Sequence, residues 1–152
     1  IAQGMLCEAK GTGLLACKTC QACHWMASES HPDFRLLAPE SEDAAEDSEP
    51  TEKRKKTDIS VAQIRSLTDF INISAHRKGT KVVLIQPAEA MNVSAANALL
   101  KNLEEPTPGT QFILVSDRPH MLPATIRSRC QRLVLSSREV RNSDTVDLAL
   151  TT

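Results

Sequence analysis

Lys81-Val82-Val83-Leu84-Ile85-Gln86, set between Gly79 and Pro87, is the stretch whose reading decides the fold. A continuous apolar run of this length marks a strand buried on both faces, the habit of parallel sheets covered by helices. Downstream, Asn92 can cap a helix over residues 93–105, and Pro106 prevents its continuation. Gln111-Phe112-Ile113-Leu114-Val115-Ser116 is a second buried strand. Pro123 fits the first turn of a short helix reaching Arg129, and Arg132-Leu133-Val134-Leu135 is a third strand candidate. Upstream, Phe34-Arg35-Leu36-Leu37 is a short apolar run read as a strand. Ser60 can open a helix reaching about residue 77, with Ile64, Leu67 and Ile71 on one face and Gly79 as its stop. Strands alternating with helices predict an α/β fold, a parallel sheet with helices on both faces. Residues 136–152 show no clear period and receive no element.

The bulk numbers are those of a single globular domain: 152 residues, 41% apolar and 24% charged. A net charge of -1 gives no global field for gripping nucleic acid, so any DNA contact must come from a local patch or from partners. No signal peptide and no membrane-length apolar run is present, which predicts a cytoplasmic protein with no membrane partner. Ile1-Ala2-Gln3-Gly4-Met5-Leu6-Cys7 reads as the tail of a helix. No Gly-x-x-x-x-Gly-Lys-Ser/Thr phosphate loop occurs, so the chain is expected to be a fragment starting downstream of such a loop. Between residues 40 and 57 an acidic block (Glu40, Glu42, Asp43, Glu46, Asp47, Glu49, Glu52) precedes the basic block Lys53-Arg54-Lys55-Lys56. With so few apolar residues this stretch is expected to be a mobile loop, its basic block solvated and paired with nearby acid rather than gripping phosphates.

Four of the five cysteines crowd into a segment over residues 7–31, as Cys7, Cys17, Cys20 and Cys23. Two-residue spacers let neighbouring thiolates turn inward onto one ion, and four sulfur ligands in a tetrahedron suit zinc. A site closed by four sulfurs has no open position for water, so its zinc would be structural. His24 and His31 lie near enough to replace one thiolate. Two rivals remain: unligated thiols, and an iron–sulfur centre, although His24-Trp25-Met26-Ala27 stands where a ferredoxin pattern continues with three residues and Cys-Pro. Cys130 lies far off in sequence and reads as a small buried residue.

Candidate catalytic chemistry is thin. In phosphate-loop ATPases an apolar strand ends in an acid that holds magnesium, and a second acid often polarises water. Here the strand ending at Ile85 is followed by Gln86-Pro87-Ala88-Glu89. Gln86 is neutral, Pro87 cannot act as a base, and Glu89 falls three residues late, so no intrinsic ATPase is expected. The helix at 93–105 ends in Glu104-Glu105, acids set against the negative end of its own dipole at a cost of a few tenths to about 1 kcal/mol each. Arg129, at the end of the short helix, has the charge and planar fork to meet a terminal phosphate. From the physics alone, Arg127 and Arg129 simply complementing their helix dipole is the simpler reading.

Taken together, several motifs resemble one family. Cys7, Cys17, Cys20 and Cys23, His31-Pro32-Asp33 and Leu37-Ala38-Pro39-Glu40 join Ala88-Glu89-Ala90-Met91-Asn92, Ala95-Ala96-Asn97-Ala98-Leu99-Leu100-Lys101 and Leu103-Glu104-Glu105-Pro106. Phe112-Ile113-Leu114-Val115-Ser116 and Leu122-Pro123-Ala124-Thr125-Ile126-Arg127-Ser128-Arg129-Cys130 complete the set. Over residues 1–135 they are similar to the AAA+ clamp loaders of bacterial replication, to the delta-prime branch more than to gamma/tau. The resemblance implies a partial AAA+ (RecA-like) domain carrying a zinc module, without the phosphate-loop segment, the lid and the collar, and with a poorly defined tail over 136–152. It implies a subunit of the DNA polymerase III holoenzyme, a DNA-directed DNA polymerase (nucleotidyltransferase). Such a subunit is a non-hydrolysing stator, partnered by gamma/tau and delta subunits and, through the assembled ring, by the sliding clamp and primed DNA. It implies further that Arg129, supported by Ser128 and Cys130, is an arginine finger for ATP bound by a neighbouring gamma/tau subunit. Two alternatives stand beside it: an ATP-hydrolysing gamma/tau-type paralogue, and a zinc-bearing nucleic-acid-binding module.

Overall fold

The computed structural model describes residues 1–9, 15–39, 58–73, 75–76, 79–136 and 145–150. The charged stretch over residues 40–57 lies outside them. In chain order the elements are α1 (Ala2–Leu6), α2 (Gln21–Ala27), β1 (Phe34–Leu37), α3 (Val61–Asn72), β2 (Lys81–Ile85), α4 (Val93–Glu104), β3 (Thr110–Ser116), α5 (Ala124–Arg127), β4 (Gln131–Ser136) and β5 (Thr145–Leu150), with 3-10 turns at Ala88–Ala90 and Pro119–Met121.

β1, β2 and β3 are parallel neighbours, with Val83 opposite both Arg35 and Phe112. The apolar runs at residues 81 and 111 behave as their composition requires, since Val82, Val83 and Ile85 in β2 and Phe112, Ile113 and Leu114 in β3 are all buried. Side chains alternate between faces along each strand. Val83, Ile85, Phe112 and Leu114 pack on one face with Ile64 and Leu67 of α3 and Ala95 and Leu99 of α4. Val82 and Ile113 pack on the other with Leu6, and α1 and α2 cover them through Met5 and Met26.

The expectation of a wholly parallel sheet is corrected. The strand order is β1-β2-β3-β5-β4, and β5 runs antiparallel to both its neighbours. The segment over residues 136–152, given no element from its sequence, thus supplies an internal strand. Val146, Leu148 and Leu150 do alternate with Asp147 and Ala149. Six residues of such a pattern fit a strand, but they carry no information about which slot it fills or in which direction.

Helix termini follow local chemistry. Ser60 and Gln63 form a reciprocal capping box on α3, and Gln63 Nε2 also donates to the Ala38 carbonyl at the end of β1, 2.9 Å away. Asn92 Oδ1 accepts from the Ala95 N–H at 2.8 Å and opens α4. α3 ends at Asn72, earlier than the expected residue 77. Its carbonyls at Phe70 and Ile73 accept from the ammonium of buried Lys81, a partner no local pattern announces. Burial lowers the Lys81 pKa, and the Asp33 carboxylate opposes that shift. Gly109 sits at φ +80 where the entry to β3 crosses the entry to β2, and a Cβ there would lie 2.0 Å from the Gly79 carbonyl oxygen. Only glycine fits.

Candidate metal centre and the Ser128-Arg129-Cys130 segment

Cys7 follows α1, Cys17 precedes a tight turn, Cys20 is the N-cap of α2 and Cys23 lies in its first turn. In the turn, Lys18 adopts φ +63 and the N–H groups of Thr19 and Cys20 point at Cys17 Sγ from 3.4 and 3.3 Å. The N–H of Cys17 in turn donates to Cys7 Sγ at 3.4 Å. The result is one sulfur cluster, all four Sγ atoms within 4.8 Å of one another and no disulfide among them. The Cys7–Cys20 and Cys17–Cys23 sulfur pairs stand 3.9 Å apart. With Zn–S near 2.3 Å, a regular tetrahedron sets its sulfurs about 3.8 Å apart. The donors therefore suit a single tetrahedral ion. An iron–sulfur cluster interposes inorganic sulfides and spreads its thiolates farther than this.

Electrostatics divide the four. Hydrogen bonds from the Thr19 hydroxyl, the Thr19 N–H and the Cys20 N–H lower the Cys17 thiol to about 5. Backbone N–H groups of Cys23 and Glu8 lower Cys20. Burial pushes Cys23 up to about 12, so a cation is what would make it a thiolate. Neither histidine joins the group among the described residues. His24 is exposed, whereas His31 is buried, stacks edge-on against Trp25 and accepts the Asp33 N–H on Nδ1 at 3.1 Å.

The second candidate lies where α5 meets β4. Ile126 and Leu122 are buried in the main core and Cys130 packs against it, its thiol pushed up by burial. These anchors leave Ser128 and Arg129 on the surface. α5 ends at Arg127, two residues short of the expected Arg129. The Arg129 guanidinium bends back: Nη1 donates to the Thr125 carbonyl at 2.9 Å and to Ser128 Oγ at 3.4 Å, and Nη2 meets Glu104 Oε1 at 2.6 Å. Its side chain retains 35% of its exposure, so the charge is not sealed in the core. The acidic end of α4, unfavourable on its own, thus has a cation from another element.

Glu89 also gains a place. It stands beyond the C-terminal end of β2, and its Oε1 accepts the Asp117 N–H just past β3 at 3.3 Å. Burial raises its pKa, but hydrogen bonds from Ser116 and from the backbone at Glu89, Asp117 and Arg118 more than offset this and leave it lowered. The carboxylate ties two loops together, a use that its spacing after Ile85 did not disclose. Gln86 and Pro87, which follow β2 directly, are exposed.

Residues 1–139 match the family model described as DNA polymerase III, delta subunit. The chain belongs to the DNA polymerase III delta-prime family. It is 45% identical over 115 residues to the delta-prime subunit of Pseudomonas aeruginosa, covering 76% of this chain and 31% of that protein. Against the delta-prime subunit of Escherichia coli the identity is 37% over 127 residues, 84% of this chain and 34% of that protein. This delta-prime chain therefore spans about a third of the curated relatives it matches. The tau subunit of Bacillus subtilis is 42% identical over 72 residues, 47% of this chain and 13% of that protein. Among solved structures, a gamma subunit-related protein of DNA polymerase III from Thermotoga maritima superposes with a TM-score of 0.58 at 32% identity, over 71% of this chain and 31% of that one. No helix among the described residues is long and apolar enough to cross a membrane.

Proposed function

We propose that this chain is part of an AAA+ (RecA-like) clamp-loader subunit that acts in the bacterial cytoplasm through its neighbours' ATP rather than its own. In that reading Arg129 is presented to the terminal phosphate of ATP bound by an adjacent gamma/tau subunit, where a fixed guanidinium stabilises charge developing in the transition state. The observation that carries it is the placement of Arg129: a backbone anchored in the core by Ile126 and Cys130, with the guanidinium at the surface. Ser128 supports it by accepting from Nη1. Gln86 and Pro87 cannot hold or activate the groups that hydrolysis needs, which favours a subunit without ATPase of its own. Assembly with gamma/tau and delta subunits, and loading of the sliding clamp onto primed DNA, belong to the whole protein.

Cys7, Cys17, Cys20 and Cys23 would hold a structural zinc. The ion would supply a fixed cross-link between α1 and α2, with no open coordination position for catalysis. The expected preparation is colourless and carries about one zinc per chain.

The test of the finger is Arg129→Ala in the full-length subunit. Assembly with its partners should survive, and clamp- and DNA-stimulated ATPase of the assembled loader should fall at the affected site by about 10³-fold. Unchanged turnover in a loader of normal composition would reject the assignment. The likeness to gamma-related and tau proteins supports a second reading, an ATP-hydrolysing paralogue. Hydrolysis by the full-length subunit alone would favour it.

A further inference from the structure

The finger reading leaves one contact without a purpose. Glu104 closes α4 with a carboxylate where the helix dipole is negative, and the next residue, Glu105, is acidic too. A helix end of that kind is better served by a cation. Arg129 supplies one from 25 positions downstream, through a 2.6 Å contact between Nη2 and Glu104 Oε1. Nη1 is meanwhile held by the Thr125 carbonyl and Ser128 Oγ. Both ends of the guanidinium fork are therefore occupied within the chain, one of them by an anion.

We infer that Glu104 is a positioning residue that holds Arg129 on its own subunit and must yield it when a polyphosphate arrives next door. The inference rests on Arg129 being the finger. A phosphate and a carboxylate at 2.6 Å from the same nitrogen repel one another, so full engagement of the phosphate requires Glu104 to move aside. The contact is half-exposed, 35% on the arginine and 47% on the glutamate, so solvent weakens it and a multiply charged phosphate can displace it. The Thr125 and Ser128 contacts are neutral and lie on the other nitrogen. They can keep the side chain aimed while Glu104 lets go. Glu104 thus sets the nucleotide level at which the finger engages, without entering the chemical step.

The experiment uses full-length subunits assembled into the complete loader, with clamp and primed DNA present and ATP varied. Glu104→Gln keeps the shape and removes the charge. It should lower KM for ATP about 2- to 5-fold, the loss expected of an exposed ion pair, with kcat changed less than about 2-fold. In an Arg129→Ala background the same change should leave KM alone, because the restraint has nothing to hold. KM unchanged or raised, or kcat reduced while KM holds, would overturn the inference. So would an equal KM decrease in the Arg129→Ala background, which would mark a general effect of lost negative charge. Failure of the finger itself reads differently: Arg129→Ala alone would leave turnover intact, and the inference would fall with it.

Discussion

The two faces of the sheet are built on different principles. Against α3 and α4, seventeen buried apolar residues form one continuous core among the described residues, drawn from Leu37 through to Ile126. Against α1 and α2, the buried apolar cluster among the described residues is Leu6, Val82 and Ile113, with partly buried Met5, Met26 and Phe34 around it, and α2 adds buried Ala22. The first face is held by apolar burial between residues far apart in sequence. The second has two short helices and too little apolar surface to order them, since a few buried side chains at about 1.5–3 kcal/mol each do not offset the ordering entropy. Four sulfurs converge there. A metal ion held at that point would do for the thin face what packing does for the thick one.

Three measurements would break or sharpen that contrast. Metal removal by chelation, or Cys20→Ser, should have the largest effect, and a local one. Hydrogen exchange should show amides around Cys17 to Cys23 losing protection while those of Val83 and Phe112 keep theirs. Loss of protection across both sets would mean the faces are one cooperative unit, and the contrast would dissolve. Next, Leu99→Ala, which hollows the thick face at a fully buried position, should lower global stability by about 2–5 kcal/mol in denaturant unfolding. The same variant should retain its metal stoichiometry, because the sulfurs do not depend on α4. The smallest effect is expected at the loop junction. The Glu89 pKa lies below its ordinary value of 4.5 in the folded chain, so its ionised form adds stability at neutral pH, and that stability is lost as pH falls through the lowered value. Glu89→Gln should therefore be less stable than the parent by under about 1 kcal/mol at pH 7, discounted for solvent access. The difference should shrink as pH falls below 4.5 and vanish once pH is below the lowered pKa. A gap that widened in acid would reverse the assignment.

Legibility tracks sequence separation. The cysteine cluster was readable because Cys17, Cys20 and Cys23 are spaced to turn onto one point, with Cys7 the only longer reach. β1 occupies the stretch read as a strand residue for residue, and β2, β3 and β4 match theirs to within a residue at each end, because unbroken apolar runs have few alternatives. α2 was not foreseen. Its seven residues, Gln21–Ala27, are too few to show a helical period, and only the burial of Ala22 and Cys23 reveals which side faces inward. The end of α3 was overestimated because Lys81, nine positions beyond Asn72, takes its last carbonyls.

By itself the sequence determined β1 to β4, the helices α3, α4 and α5 apart from their exact ends, the two-sided burial of β2 and β3, the four-sulfur donor set and the family. All of these rest on periodicity, spacing or motif, which are properties of neighbouring residues. Only the tertiary structure decided that β5 enters the sheet antiparallel between β3 and β4, that Glu89 bridges two loops, and that Arg129 is met by Glu104. Each of those depends on which distant groups the closed chain brings within a few ångströms, and a charge or a strand pattern carries no address for its partner.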